Sequence, residues 1–208
     1  MCDTLPFPTP GDAKRIRRAT IDRWHFVFAG YLQHEGQPNG MVRLWWELHR
    51  RHAGCDTAVL FERYDAPVDL LAEMVWRLRA NGGPTICIYG YSWGGAAAVN
   101  FARALDRRGI RVASMVLSDP VYRHWHLLGR WRALFPWSRI ARIRVPANVA
   151  AMHSFWQRRN WPRACQLVAD DPSRTKIHRP KLATVEHGYM DDLRAFHDAS
   201  LNLARQAA

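Results

Sequence analysis

No stretch of this 208-residue chain stays apolar for anything like the roughly 20 residues that span a bilayer, so no transmembrane segment is expected. The opening run, "MCDTLPFPTPGDAKRIRR", lacks the apolar core of a secretory signal, and a cytoplasmic location is expected. Cysteine is scarce and scattered: Cys2, Cys55, Cys87 and Cys165 form no CxxC pair. That argues against a disulfide frame or a zinc site and leaves reduced structural thiols. Internal repeats, low-complexity tracts and an interdomain linker are also missing. One domain is expected over residues 24–208, behind a basic segment at 1–23.

Lysine is rare as well. Arginine supplies nearly all of the 30 basic residues, Lys14, Lys176 and Lys181 being the only lysines, and the formal net charge is +12. Between Arg123 and Arg144 there are six arginines and no acid, interleaved with Trp125, Trp131, Phe135 and Trp137. Such a run can face nucleic acid, an anionic lipid surface or an acidic substrate. More ordinarily it is a half-buried amphipathic segment with a solvated face. No zinc-finger, RRM or KH signature stands beside it, so no nucleic-acid partner is expected.

What the chain does have is an alternating pattern. Short apolar, β-branched runs at 24–30, 57–62, 85–90 and 111–119 read as buried strands. Between them, 41–52, 68–83 and 93–108 read as helices, the second closed by Asn81-Gly82-Gly83. Residues 121–142 look helical but carry Pro136; 145–155 and 181–187 read as two last strands before a terminal helix over 190–205. Strands separated by helices of this length imply βαβ crossovers and a buried, mostly parallel sheet of about six strands with helices on both faces. In such sheets functional groups gather just beyond the carboxyl ends of the strands. Gly30-Tyr31, Ser92, Asp119 and His187 all fall there.

Gly90-Tyr91-Ser92-Trp93-Gly94 fits G-x-S-x-G, a strand-to-helix turn that projects a serine above the sheet. The pattern is weak alone. Preceded by a strand and followed by "GGAAA", it marks Ser92 as a nucleophile, with the small residues letting the helix pack close and aim its N-terminus at the serine. A serine nucleophile needs a base, and the base an orienting acid. Of ten histidines, His25 and His153 sit within strands as core residues. His34, His49, His52 and His197 lie before the serine or in the last helix. His124 and His126 lack companions for a metal site. His187, between the last strand and the last helix, is the candidate base. Asp119, which ends "MVLSD" ahead of Pro120, is the candidate acid. Asp170 and Asp171 are its rivals, but "ADDPS" reads as a polar turn.

On these motifs the chain resembles a compact α/β-hydrolase, and within that superfamily its thioesterase-like branch, where the acid follows the strand directly after the nucleophile strand. "YSWGG", "LSDPVYRHW" and "HGYMDD" also resemble hydrolase-like proteins of phage and environmental genomes. The resemblance implies that the amides of Tyr31 and Trp93 form an oxyanion hole. The 68 residues from Asp119 to His187 leave no room for a large lid, so 121–142 is expected to form a small helical cap. Tyr91, Trp125 and Trp131 are the candidate substrate-contacting side chains.

The expected activity is hydrolysis of a small-molecule carboxylic ester or thioester through an acyl-enzyme on Ser92, with no metal or organic cofactor. An amidase or peptidase with the same triad, and a basic non-catalytic binding module on the same fold, are the alternatives. Nothing in the sequence fixes the oligomeric state.

Overall fold

The computed structural model of the chain describes residues 20–79, 82–121 and 142–206. The basic segment up to residue 19, the expected cap and both Trp125 and Trp131 lie outside the described residues.

The alternation seen in the sequence becomes β1 (Arg23–Phe28), α1 (Gly40–His52), β2 (Thr57–Glu62), α2 (Val68–Leu78), β3 (Thr85–Tyr91), α3 (Trp93–Asp106) and β4 (Val112–Ser118). Then come β5 (Arg142–Val145), β6 (Val149–Gln157), β7 (Gln166–Ala169), β8 (Lys176–Ile177) and β9 (Lys181–Ala183). A 3-10 turn at His187–Asp192 and helix α4 (Arg194–Gln206) follow. The main sheet has seven strands in the order β2-β1-β3-β4-β6-β8, with β9 also on β6; β5 and β7 make a separate two-stranded ribbon. Each of these pairings is parallel.

The strands are apolar on both faces because both are covered. Trp24, Phe26 and Phe28 of β1 point to one side, where they pack with Ala72 and Val75 of α2 and Phe101 and Leu105 of α3. Val27 points to the other, toward Met41, Leu44 and Leu48 of α1 and Phe196 and Leu201 of α4. The alternation is the period of two that a pleated strand imposes.

Several boundaries differ from the sequence expectation: the helix expected over 68–83 ends at Leu78, and the strand expected over 181–187 is formed only over Lys181–Ala183. The run 145–155 is not one strand: Pro146-Ala147-Asn148 breaks it into β5 and β6. Asn148 is held there by donating to the carbonyls of Ala102 and Ile110, both at 2.9 Å. The last helix begins at Arg194 instead of residue 190, because the segment carrying His187 takes the 3-10 turn first.

The topology decides where a site can form. From β1 the chain crosses to β2 on one side, whereas from β3 it crosses to β4 on the other. The connections leave adjacent strands in opposite directions, which opens a crevice at the carboxyl ends of β1 and β3. Tyr31 and Ser92 stand at that crevice.

Candidate active site

Ser92 sits between β3 and α3 with φ 52° and ψ −121°, a conformation L-residues rarely adopt. The surrounding sequence makes it attainable. A Cβ on Gly94 would collide with the carbonyls of Phe28, which ends β1, and Ala29 just after it, and one on Gly95 would come within 2.6 Å of the Pro120 side chain. Only glycines let α3 seat this close to the sheet. The turn is closed by backbone bonds: Ser92 N donates to Ser118 O at 3.1 Å, and the Ser92 carbonyl accepts from Gly95 N and Val121 N.

Asp119 follows β4 with φ 43° and is completely buried. Its carboxylate is not left bare. Oδ1 accepts from Gln157 N at 3.3 Å and Ala164 N at 3.1 Å, and Oδ2 from Gln157 Nε2 at 3.0 Å. His187 opens the 3-10 turn. Its Nδ1 lies 2.5 Å from Asp119 Oδ2 and its Nε2 lies 2.9 Å from Ser92 Oγ. An ionised carboxylate only accepts, so the Nδ1 proton faces Asp119 and Nε2 is left to accept from the serine hydroxyl.

Three anchors fix the histidine in place. Tyr91 Oη donates to the His187 carbonyl at 2.8 Å, His187 N donates to Asn160 Oδ1 at 2.8 Å, and Ser118 Oγ donates to Met190 O at 2.6 Å. The sequence marked Tyr91 as a substrate contact. Its ring does line the cavity, and its buried hydroxyl is committed to the histidine loop. Burial, and then Asp191 and Asp119, push the Tyr91 hydroxyl well above the usual phenol range.

A cavity of about 320 Å³ opens on this group, lined by Tyr31, Gln33, Tyr91, Ser92, Trp93, Val121, Trp161, Pro162 and His187. Tyr31 and Trp93 stand at its edge with ring centroids 4.5 Å apart, and Tyr64 packs against both. The loop after β1 turns sharply, with Gln33 N donating to Gly30 O and Leu32 at φ 61°. Gln33 Oε1 accepts from Gly30 N, while Gln33 Nε2 reaches Asp191 Oδ2 at 2.7 Å, which also accepts from Gly40 N at 2.9 Å. The loop bearing Tyr31 is thus tied to the segment bearing His187.

The structure brings together Ser92, Asp119, His187, Tyr31, Trp93 and Tyr91. Asp170, the rival acid, is elsewhere: it pairs with Arg144 at 2.6 Å, and Asp171 Oδ1 accepts from both Ser173 N and Ser173 Oγ. Sequence reasoning missed Gln157, Asn160, Trp161, Gln33 and Asp191. His25 and His153, read from the sequence as core residues, have partners away from the site. His25 is buried with Nδ1 3.1 Å from Tyr89 Oη, and burial, helped by His52 and Arg23, pushes it down to about 4. His153 stacks on His178 at 3.9 Å. Among the described residues no group of three or more His, Cys, Asp or Glu is placed to hold a metal ion, and no helix is long and apolar enough to cross a membrane.

Residues 10–205 match the alpha/beta hydrolase family. The chain belongs to that family. Two solved structures are similar to this hydrolase. One is YbtT, a type II thioesterase from the yersiniabactin NRPS/PKS biosynthetic pathway: 11% identity, TM-score 0.47, over 92% of this chain and 96% of that one. The other is the Vlm2 thioesterase domain with genetically encoded 2,3-diaminopropionic acid, bound with a dodecadepsipeptide: 14% identity, TM-score 0.41, over 92% and 95%. No curated protein matches this hydrolase in sequence.

Proposed function

We propose that this α/β-hydrolase is a serine hydrolase that cleaves a carboxylic ester or thioester through an acyl-enzyme on Ser92. The observation that carries the proposal is the unbroken chain Ser92 Oγ–His187 Nε2, His187 Nδ1–Asp119 Oδ2, at 2.9 and 2.5 Å, opening on a cavity.

In the first half-reaction His187 Nε2 takes the hydroxyl proton as Ser92 Oγ attacks the acyl carbon. The imidazolium is stabilised by Asp119, whose buried oxygens also keep the ring in the productive tautomer. The tetrahedral oxyanion lies against the amides of Tyr31 and Trp93, the latter at the N-terminus of α3, where the helix dipole favours negative charge. His187 then hands its proton to the leaving alcohol or thiol. In the second half-reaction His187 activates water, which attacks the acyl-enzyme, and Ser92 is regenerated. Val121, Pro162 and the aromatic rings around the cavity favour an apolar acyl group.

The test is labelling with a fluorophosphonate followed by mass spectrometry, beside a panel of p-nitrophenyl esters and acyl-CoAs. A label on Ser92, and loss of turnover by about 10⁴-fold or more in Ser92→Ala, are expected. A label elsewhere, or none on folded protein, would overturn the assignment.

A further inference from the structure

The loop that leaves β6 reaches the acid, the histidine and the cavity wall. Gln157, the last residue of β6 and 2% exposed, stands at its root. Its Nε2 donates to Asp119 Oδ2 at 3.0 Å, to Asn160 O at 3.0 Å and to Pro162 O at 2.8 Å. Its Oε1 accepts from Arg159 N at 2.7 Å and Asn160 N at 3.0 Å. An amide has two N–H donors and one carbonyl oxygen, so every group of this side chain is engaged, and one N–H is shared. From the same loop Asn160 accepts from His187 N, Ala164 N donates to Asp119 Oδ1, and Trp161 and Pro162 line the cavity.

A buried primary amide that carries five hydrogen bonds is costly to leave half satisfied. Its partners are one carboxylate oxygen and four backbone groups of its own loop. The arrangement ties the position of the acid to the shape of the loop, and the loop in turn to the histidine and the cavity wall.

We propose that Gln157 is a positioning residue for the acid, and that the loop 157–164 it organises holds Asp119 and His187 in register while supplying Trp161 as an acyl-binding wall. This rests on the serine-hydrolase assignment above. Gln157 touches no reacting atom; it acts through Asp119. Displacing a reacting group by about 1 Å costs on the order of 10²-fold in rate, which sets the scale expected when this support is removed.

The experiment compares Gln157→Leu, Gln157→Glu, Asn160→Ala and Trp161→Ala with Asp119→Asn on esters of short and long acyl chains, with folding checked by near-ultraviolet circular dichroism. Gln157→Leu should lower kcat by about 10²-fold on every ester. Gln157→Glu keeps an acceptor for the Arg159 and Asn160 amides but loses the donor to Asp119. It should lose a comparable fraction of kcat, since the bonds Nε2 gives to Asp119, Asn160 O and Pro162 O are all lost while those to the Arg159 and Asn160 amides remain. Trp161→Ala should instead raise KM for the long-chain ester and leave kcat within about threefold, the pattern of lost uniform binding. That split between kcat and KM is what a merely structural role would not produce. Kcat within threefold of wild type in both Gln157 variants, with Asp119→Asn inactive, overturns the proposal and leaves the triad standing. If Asp119→Asn is itself fully active, the triad assignment fails first, and Gln157 falls with it. Should Gln157→Leu not fold, Asn160→Ala carries the test: a fall in kcat of about tenfold is expected from the freed histidine amide, and an unchanged kcat overturns the proposal.

Discussion

Asp119→Asn changes one atom and should nearly abolish turnover. Oδ1 of Asp119 faces two donors, Gln157 N and Ala164 N, and Oδ2 faces two more, His187 Nδ1 and Gln157 Nε2. An asparagine must put its NH₂ at one of these positions. On the Oδ1 side it meets two backbone amides that have no way to accept. On the Oδ2 side it meets Gln157 Nε2, which keeps Asn160 O and Pro162 O as acceptors, and a ring that can accept: His187 can shift its proton to Nε2 and accept at Nδ1. The second placement is the cheaper one, and it leaves Nε2–H pointing at Ser92 Oγ, unable to take the serine proton. The wrong tautomer also lacks the negative charge that stabilises the imidazolium. A fall in kcat of about 10⁴-fold is expected, or about 5 kcal/mol of transition-state stabilisation. Steady-state kinetics on the best p-nitrophenyl ester would measure it, with the Asp170→Asn/Asp171→Asn double variant as control. Because those two carboxylates are engaged with Arg144 and Ser173, the control should stay within about tenfold of wild type. The reverse ranking would refute the reasoning and move the acid to the later loop.

The remaining expectations concern stability. His25 is held neutral by burial, down at about 4 against an ordinary 6.5, so the unfolded chain binds the proton more readily than the folded one. Its contribution is fully present above pH 6.5 and is lost as pH falls, by about 2 kcal/mol at pH 5 and about 3 kcal/mol at pH 4. Urea unfolding of wild type and His25→Gln at pH 7.5 and pH 5 should show a shallower pH dependence in the variant; identical slopes would exclude His25 as the source. Gly94→Ala should destabilise by about 1–3 kcal/mol, since its Cβ meets backbone carbonyls at the end of β1 that cannot swing aside. An unchanged urea midpoint would show that α3 has room to shift.

Much of this architecture is legible in the sequence, because it is written in local patterns. The strand that stops at Gly90 and the "GGAAA" run that follows need only their immediate neighbours to be read. The aspartate ending "MVLSD" and the histidine ahead of the last helix are placed by strand and helix periodicity alone. The split of 145–155 is harder, since Pro146-Ala147-Asn148 lies inside an apolar run and Asn148 finds its partners on α3 and the segment before β4. Gln157 and Asn160 carry no local sign at all. A glutamine at a strand end is common, and its bond to Asp119 spans 38 residues of chain. Asp191 is hidden likewise, its partners Gln33 and Gly40 lying 158 and 151 residues away. Hydrogen bonds that close only in three dimensions leave no periodicity to read.

The backbone at Ser92 and at Asp119 has a further consequence. Both residues sit at positive φ, 52° and 43°, where a side chain costs on the order of 1–3 kcal/mol and glycine almost nothing. At Asp119 the buried carboxylate offsets that cost by accepting from Gln157 N, Gln157 Nε2 and Ala164 N, but at Ser92 the fold alone would prefer glycine. A copy of this chain released from selection for activity would therefore gain stability by drifting to glycine at position 92. The drift can be imitated at the bench. Ser92→Gly should unfold at higher urea than Ser92→Ala, by about 1 kcal/mol after the extra freedom of glycine in the unfolded chain is subtracted. Both variants are expected to be inert, so the difference between them measures what the backbone gives up to place a hydroxyl there.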